Sequence, residues 1–421
     1  MWLKFKLIFT DPDLRKKILF ILLILALFRI GAAIPIPGVD HERLASFFGG
    51  NQFFGLLNLF SGGALENLSI MMLGVGPFIT ASIIMQLLTM ISPRLKEMYQ
   101  EGGEAGRQKF NQYSRLLTVP LAALQGFGLL SLLSREGVLG ALSPFGTLIN
   151  IVIVTAGSVL LMWLGELISE YGIGNGVSIL IFAGIISSVP RALGQTFFAS
   201  SIEQLPVILG FVIAAVLVVG AVIIITEGQR PVPVSYARRV RGSKIYGGVS
   251  TYLPLRVNQA GVIPIIFALS ILLFPQMLVN FVASVDNAAI RTISAFLLTF
   301  FNNPWVYAIL YFLLVFLFTY FYTAVTFDPD AISGNLQKSG AFVPGIRPGR
   351  PTSEFLYKIL NRITLIGALF LGAIAVLPLA MRAITGLVTL TIGGTALLIV
   401  VSVVLETIKQ VEAQIVMRSY E

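Results

Sequence analysis

Apolar stretches about 20 residues long recur along almost the whole sequence. A helix needs roughly 20 residues, at 1.5 Å each, to cross about 30 Å of hydrocarbon. Only 12% of the residues are charged and the mean hydropathy is +0.88, whereas soluble domains carry about 25% charged residues. The sequence therefore predicts an all-α polytopic membrane protein with ten transmembrane helices, near residues 18–38, 71–91, 115–133, 147–166, 174–190, 205–226, 261–283, 304–325, 360–380 and 386–405.

The Lys and Arg residues predict which side of the membrane each connection faces, because cytoplasmic loops carry an excess of them. Of the 29, five lie in the connections assigned to the outer side and one lies inside the first span. The others lie in the two tails and in the connections between spans 2 and 3, 6 and 7, and 8 and 9. Both termini are therefore predicted to be cytoplasmic. The basic, apolar start of the chain is interpreted as the first span and not as a cleaved signal peptide.

The composition argues against enzyme and metal chemistry. The chain has no Cys and a single His, His41, so it cannot build a thiolate or multi-His metal site or a disulfide. Ionisable residues within spans mark proton relays and ion paths, and here they are reduced to Arg29 and Glu166. The glycine-rich GIGNG at 172–176 follows a predicted transmembrane helix and lacks the strand that a phosphate-binding loop requires. We predict no enzyme activity and no cofactor.

Two long connections are basic and rich in proline. They contain QRPVPVSYARRVRG at 229–242 and QKSGAFVPGIRPGRPTSEF at 337–355. Topology alone makes cytoplasmic loops basic, but this composition is not that of a flexible linker. We interpret the loops, near 228–260 and 326–359, as docking surfaces for acidic partners such as ribosomal RNA or an acidic protein face.

The stretch between the first two spans is apolar but too short to cross a membrane. Its core, GLLNLFSGGALENL, is interrupted by Gly62 and Gly63. Half-length segments lie at membrane depth only where protein or a water-filled cavity surrounds them. The stretch is either a re-entrant plug, near 55–70, or an amphipathic helix on the outer surface.

Eight motifs, spread in order over essentially the whole chain, resemble those of one family. This family is SecY, the pore-forming subunit of the bacterial protein-conducting channel. The motifs are FRIGAAIPIPGVD (28–40), LFSGGALENLSIMMLGVGPFITASIIMQLL (59–88), EGGEAGRQKFNQYSR (101–115), GIGNGVSILIFAGI (172–185), EGQRPVPVSYARRVRG (227–242), YLPLRVNQAGVIPIIFA (252–268), FVPGIRPGRPTSEFLYKILNRIT (342–364) and GGTALLIVV (393–401).

The resemblance implies two pseudo-symmetric, inverted five-helix halves, residues 1–190 and 191–421, around a pore closed by an aliphatic ring and a plug. The channel would pass unfolded secretory polypeptides across the membrane and release transmembrane segments sideways into lipid. By motif match the ring falls on Val75, Ile79, Val177, Ile181, Ile266 and Ile399. The plug falls on Phe60, Ser61, Gly62, Gly63, Ala64, Leu65, Glu66, Asn67 and Leu68.

The resemblance also implies partners and a lateral gate. The partners are SecE-like and SecG-like small membrane subunits, the SecA ATPase motor, the ribosome, signal peptides, nascent chains and membrane lipid, at the bacterial inner membrane. The motor or ribosome would dock on Arg239, Arg241, Arg256, Arg347 and Arg350. The gate would include Gln86, Gln125 and Ser270. Two alternatives remain: an ion-coupled small-solute transporter and a structural scaffold without a pore.

Overall fold

The protein is a mainly helical chain with a small antiparallel sheet, seen in a computed structural model. The chain divides into two compact units. The first unit comprises the described residues of Met1–Glu203, Leu269–Asn303 and Val403–Glu421, and the second those of Gln204–Ala268 and Pro304–Ser402. The structure describes residues 11–39, 61–65, 67–100, 102–135, 137–140, 143–199, 205–236, 239–241, 244–246, 250–282, 297, 300, 303–385 and 394–418.

Twelve helices and five strands make up the secondary structure of these described ranges. The helices are α1 (Pro12–Ala33), α2 (Gly76–Ile91), α3 (Pro93–Gln100), α4 (Gly103–Arg135), α5 (Pro144–Tyr171), α6 (Gly176–Ala199), α7 (Leu205–Glu227), α8 (Ile263–Val282), α9 (Pro304–Thr326), α10 (Pro329–Lys338), α11 (Arg350–Thr385) and α12 (Gly394–Arg418). The strands are β1 (Gln229–Tyr236), β2 (Arg239–Arg241), β3 (Lys244–Tyr246), β4 (Ser250–Arg256) and β5 (Ala341–Phe342).

Three helices begin with the same local signal. Asp11, Ser143 and Asp328 each precede a proline in the first helical turn, and each side chain accepts a hydrogen bond from a backbone N–H of that turn. The first-turn N–H groups have no acceptor within the helix. Proline at this position therefore loses no helical hydrogen bond, and the capping side chain accepts a hydrogen bond from another of these N–H groups. The starts of α1, α5 and α10 therefore follow from the local sequence.

The helices account for the apolar windows. Each of the ten predicted windows overlaps one of the long helices: α1, α2, α4 to α9, α11 and α12. Within the described residues, four helices are long and apolar enough to cross a membrane alone, in α4, α5, α9 and α11, and a fifth counts if α2 and α3, bent by 117°, form one span. Residues 386–393 of the last window lie outside the described residues. The mainly helical, polytopic fold is confirmed, and the count of ten spans stays a prediction.

The first basic loop folds with the second into a sheet of order β4-β1-β5, which was not predicted. Pro231 of β1 faces Pro254 of β4, and two prolines cannot form a hydrogen-bonded pair because neither has an N–H. The N–H of Val257 donates to the carbonyl of Gly228 at 2.8 Å, which continues the ladder on even-numbered residues of β1. Pro231 and Pro233 therefore lie at positions of β1 that form no backbone hydrogen bond with β4, so no bond is lost.

Each unit has its own apolar core. In the first, Leu65, Leu68 and Met72 join buried side chains of α4 and α5. In the second, Val232 of β1 and Leu255 of β4 pack on the buried face of α11. The sheet is therefore fixed to a long helix that is itself a predicted span.

Candidate functional site

The described residues of the predicted plug lie in a run of turns, residues 61–65 and 67–75, which we name the folded-back segment. It belongs to the first unit, and its described residues are largely buried. Phe60 and Glu66, also part of the predicted plug, lie outside the described residues. Its apolar side chains Ala64, Leu65 and Leu68 are almost completely inaccessible.

Backbone hydrogen bonds join the folded-back segment to the chain that leaves α1. The N–H of Ile36 donates to the carbonyl of Leu68 at 2.9 Å, and the N–H of Ile70 donates to the carbonyl of Ile34 at 3.0 Å. These two bonds flank a β-bridge between Pro35 and Ser69. Because buried backbone groups must be paired, this bridge satisfies polar groups of a non-helical segment inside an apolar unit.

Helix α5 contacts the second half of the folded-back segment. A Cβ built on Gly157 would lie only 1.9 Å from the carbonyl oxygen of Ile70. The neighbouring Ser158 donates from its Oγ to the carbonyl of Gly74 at 3.0 Å, and both groups are buried. Glycine and serine on consecutive positions thus bring the segment's backbone into direct contact with the helix.

Helices α1 and α6 contact its first half. A Cβ on Gly184 of α6 would lie 2.3 Å from the Cα of Gly62. Arg29 of α1 donates from Nη1 to the carbonyl of Gly62 at 2.8 Å and from Nη2 to the carbonyl of Ala183 at 2.5 Å. The sequence drew attention to Arg29 as a charge within a span, but its two acceptors are backbone groups that no pattern indicated.

The six aliphatic residues of the predicted ring lie on four helices. Val75 directly precedes α2, and the N–H of Ile79 on α2 donates to the Val75 carbonyl at 3.0 Å. Val177 and Ile181 are likewise four residues apart on α6, so they share a helix face. Five of the six side chains are buried, and that of Val177 is half-buried. They are Val75 and Ile79 at the start of α2, Val177 and Ile181 on α6, Ile266 on α8 and Ile399 on α12.

The arginines of the predicted docking surface lie on the strands, on the turn before α11 and at the first residue of α11. Arg256 ends β4, and its side chain is exposed. Arg347 and Arg350 are exposed as well. Arg239 and Arg241 belong to β2, which pairs with β3 in a separate hairpin, and their side chains lie outside the described residues.

Buried hydroxyl groups fix the turn that carries Arg347. Ser333, Thr352 and Ser353 are each less than a tenth exposed. Sequence reasoning missed them, although hydroxyl residues beside turn glycines are a known signal for local hydrogen bonds. The three bonds are Thr352 Oγ1 to the carbonyl of Arg347 (2.8 Å), Ser333 Oγ to the carbonyl of Gly349 (2.6 Å) and Ser353 Oγ to Asp330 Oδ1 (2.5 Å).

The polar residues of the predicted gate lie on three helices. Gln86 on α2 has a side-chain oxygen that is buried without a hydrogen-bond partner among the described residues. Gln125 on α4 is buried, and Ser270 on α8 is half-buried. Helices α2 and α4 are direct neighbours, so the structure brings Gln86 and Gln125 onto adjacent helices.

Known proteins resemble this chain in sequence over nearly its whole length. The SecY family model matches residues 69–408. The SecY protein translocase subunits of Streptomyces galbus and Corynebacterium glutamicum are both 46% identical to it over 98% of this chain, and the matches cover 97% and 98% of those proteins. The subunit from Mycobacterium tuberculosis is 44% identical over 97% of this chain and 96% of its own length.

Solved structures share the fold. One is a protein-conducting channel, with 19% identity and a TM-score of 0.64. A second is a SecY protein whose plug domain stabilises the closed state of the translocation channel, with 20% identity and a TM-score of 0.66. Each match covers 94% of this chain and 91% of the other. Identities this low establish the fold alone, whereas the family match and the relatives at 44–46% identity establish descent. The chain belongs to the SecY family.

Proposed function

We propose that this chain forms the pore through which a bacterial translocase passes unfolded secretory polypeptides, and that it releases transmembrane segments sideways into lipid. As a SecY family member it is the channel subunit of a protein translocase, a multi-pass membrane protein that works with partner subunits and is not an enzyme. The observation that carries this conclusion is 46% identity to translocase subunits over nearly the full length. The ion-coupled transporter is not supported, because both the relatives and the shared fold are those of protein channels.

The aliphatic ring is proposed to seal the empty pore. A narrow apolar constriction sheds water, so ions meet a barrier, yet it binds no particular sequence that passes through it. Burial of Val75, Ile79 and Ile181 in the first unit and of Ile266 and Ile399 in the second supports this role. Val75 and Val177 have shorter side chains than isoleucine, so at these two of the six positions the seal is slightly wider.

The folded-back segment is proposed to be the plug. Non-helical backbone at membrane depth requires protein around it, and its contacts with α1, α5 and α6 supply that surrounding. Its carbonyls of Gly62 and Gly74 accept from side chains of neighbouring helices. Its side chains Leu65, Leu68 and Met72 also pack among buried residues of α4 and α5. All these contacts are noncovalent, so the segment leaves when a polypeptide enters.

The two basic loops are proposed to dock the SecA motor or the ribosome. An exposed Arg on a rigid turn suits a carboxylate or phosphate, because the guanidinium binds both in a forked geometry. Arg347 meets that description through the hydroxyl bonds of its turn. Arg256 at the end of β4 and Arg350 at the start of α11 are exposed as well, although Arg350 also pairs with Glu354 at 3.3 Å. Arg239 and Arg241 on β2 are the remaining candidates of the docking surface.

The remaining organisation follows from the charge distribution and the family. The halves 1–190 and 191–421 would be braced by a SecE-like subunit and joined by a SecG-like one, with both termini in the cytoplasm and the channel in the bacterial inner membrane. Gln86, Gln125 and Ser270 would line a gate toward lipid. Interhelical polar contacts in membranes contribute only about 0.6 kcal/mol on average, so they are easily exchanged.

Translocation in a reconstituted system tests the proposal. The chain is placed in proteoliposomes with a SecE-like subunit, SecA and ATP, and a secretory precursor is scored for protection from external protease. Wild type is expected to protect the precursor, and Arg347→Glu to reduce the rate by about tenfold or more, because it reverses charge at the motor contact.

Arg107→Glu is the matched control, since it makes the same substitution at an exposed position of α4, outside both basic loops, and is expected to leave the rate unchanged. Equal rates for wild type and Arg347→Glu would refute the docking assignment. No protection by a correctly inserted wild-type chain would refute the channel itself.

A further inference from the structure

Arg29 places a positive charge among apolar residues in the last two turns of α1. Its neighbours Leu27 and Ile30 are exposed at 48% and 62%, as expected of side chains that face lipid, whereas Phe28 is 2% exposed. Arg29 itself is half-buried. A charge at such a position is costly unless partners compensate it, so its partners indicate its role.

The described partners of Arg29 belong to two different parts of the first unit. Nη1 donates to the carbonyl of Gly62 in the folded-back segment at 2.8 Å, and Nη2 donates to the carbonyl of Ala183 in α6 at 2.5 Å. The guanidinium carbon also lies 4.9 Å from the centre of the Phe28 ring, within the range of a cation–π contact. One side chain therefore ties together α1, α6 and the segment between them.

The backbone geometry at this junction is what brings the two carbonyls within reach. Gly62 has φ +69°, and a Cβ there would lie 2.4 Å from Cζ of Phe28. Gly184 is equally constrained, because its Cβ would lie 2.3 Å from the Cα of Gly62. Only glycine allows so close an approach. The forked guanidinium then reaches both carbonyls at once, which a single ammonium group cannot do in the same geometry.

We propose that Arg29 is a positioning residue that holds the folded-back segment in its seated, closed position. When the segment leaves, Nη1 loses the Gly62 carbonyl and must be resolvated in a setting poor in water. That requirement favours the seated state until water or an entering polypeptide supplies new acceptors. The inference rests on the proposed function, because it gives the plug a specific restraint, and it predicts that Arg29 changes gating without being needed for transport.

The first test measures leakage and selectivity. Arg29→Met keeps the length and apolar stem of the side chain but removes every donor. In proteoliposomes with the SecE-like subunit, ion conductance of the idle channel is expected to rise on the order of tenfold, as for loss of one charge-assisted hydrogen bond. Precursors with a defective signal peptide should gain transport by a similar factor, while those with an intact signal peptide keep their rate. Arg29→Lys should give an intermediate conductance, and Arg15→Met, an exposed residue in the first turns of the same helix, should change neither readout.

The second test reports seating directly. The chain has no cysteine, and a Cβ on Gly63 would lie 3.9 Å from Oγ of Ser187, so Gly63→Cys with Ser187→Cys gives a disulfide reporter. Gly63 has φ +82°, so its cysteine adds backbone strain, which is the same in both arms of the comparison. Its cross-linking yield in the idle channel should fall severalfold when Arg29→Met is added to the same pair. If conductance and yield both stay at the wild-type level, the proposal is wrong. If Arg29→Met does not insert, Arg29→Lys decides by the same two readouts. Transport of an intact precursor by wild type is the separate check on the channel function.

Discussion

Replacement of Gly157 by alanine should loosen the contact between α5 and the folded-back segment. The new Cβ would lie 1.9 Å from the carbonyl oxygen of Ile70, whereas real Cβ atoms essentially never approach another atom within 3.0 Å. The segment must therefore move by about 1.1 Å or more. Overpacking of this kind costs about 1–3 kcal/mol. The shift also stretches the 3.0 Å bond from Ser158 to Gly74, which is worth about 1 kcal/mol. We expect Gly157→Ala to lower the free energy of unfolding by about 2–4 kcal/mol.

The measurement is an SDS unfolding titration in mixed micelles, compared with Gly220→Ala. Gly220 lies in apolar helix α7, and a Cβ there meets nothing within 4 Å, so alanine should stabilise by about 0.5–1 kcal/mol through helix propensity. The two variants make the same chemical change at helical glycines and should shift the midpoint in opposite directions. Equal stability of both variants would show that the folded-back segment does not press against α5 as the structure has it.

Two further substitutions test the turn that carries Arg347 and the proposed gate. Thr352→Val keeps the shape of the side chain but removes the donor to the Arg347 carbonyl; a loss of about 1 kcal/mol should weaken SecA binding to nanodisc-embedded channel roughly fivefold, while Thr352→Ser keeps wild-type affinity. An unchanged dissociation constant for Thr352→Val would show that this bond does not position Arg347. Gln86→Leu removes a buried oxygen that has no partner among the described residues, so the free energy of unfolding should rise by about 1 kcal/mol in the SDS titration. A fall would mean that the oxygen is satisfied in the membrane.

The helices were predictable because their signal is local. Twenty apolar residues in a row leave few alternatives to a buried or membrane helix. The pairing of a capping side chain with a following proline at the starts of α1, α5 and α10 is also a local signal, although none of the sequence-based predictions used it. The ends are equally local, since α1 ends just ahead of Pro35 and Pro37, in the PIPG motif.

The sheet was not predictable for the opposite reason. Pro231, Pro233 and Pro254 give β1 and β4 the composition of a loop, and proline is normally excluded from a central strand. Proline is tolerated in β1 because Pro231 faces Pro254 at a position of the antiparallel ladder where the two strands exchange no hydrogen bonds. β5, which covers the other edge, lies about 100 residues further along the chain. A local pattern carries no information about a partner so distant.

The folded-back segment shows the same limit at the candidate site, and it also suggests where substitutions matter. The described helices hold it through oxygens of its backbone: Gly62 to Arg29, Gly74 to Ser158, and Ile70 in van der Waals contact with Gly157. Leu65 and Leu68 add side-chain contacts, because they pack among buried residues of α4 and α5, and such positions tolerate apolar residues of similar volume. At Leu68, where φ is +41°, a β-branched residue would be strained. The helix positions that meet its backbone cannot vary in this way, because any Cβ on Gly157 or Gly184 collides with main-chain atoms. The backbone contacts of this segment are therefore set by α1, α5 and α6, whereas its side-chain packing depends on α4 and α5.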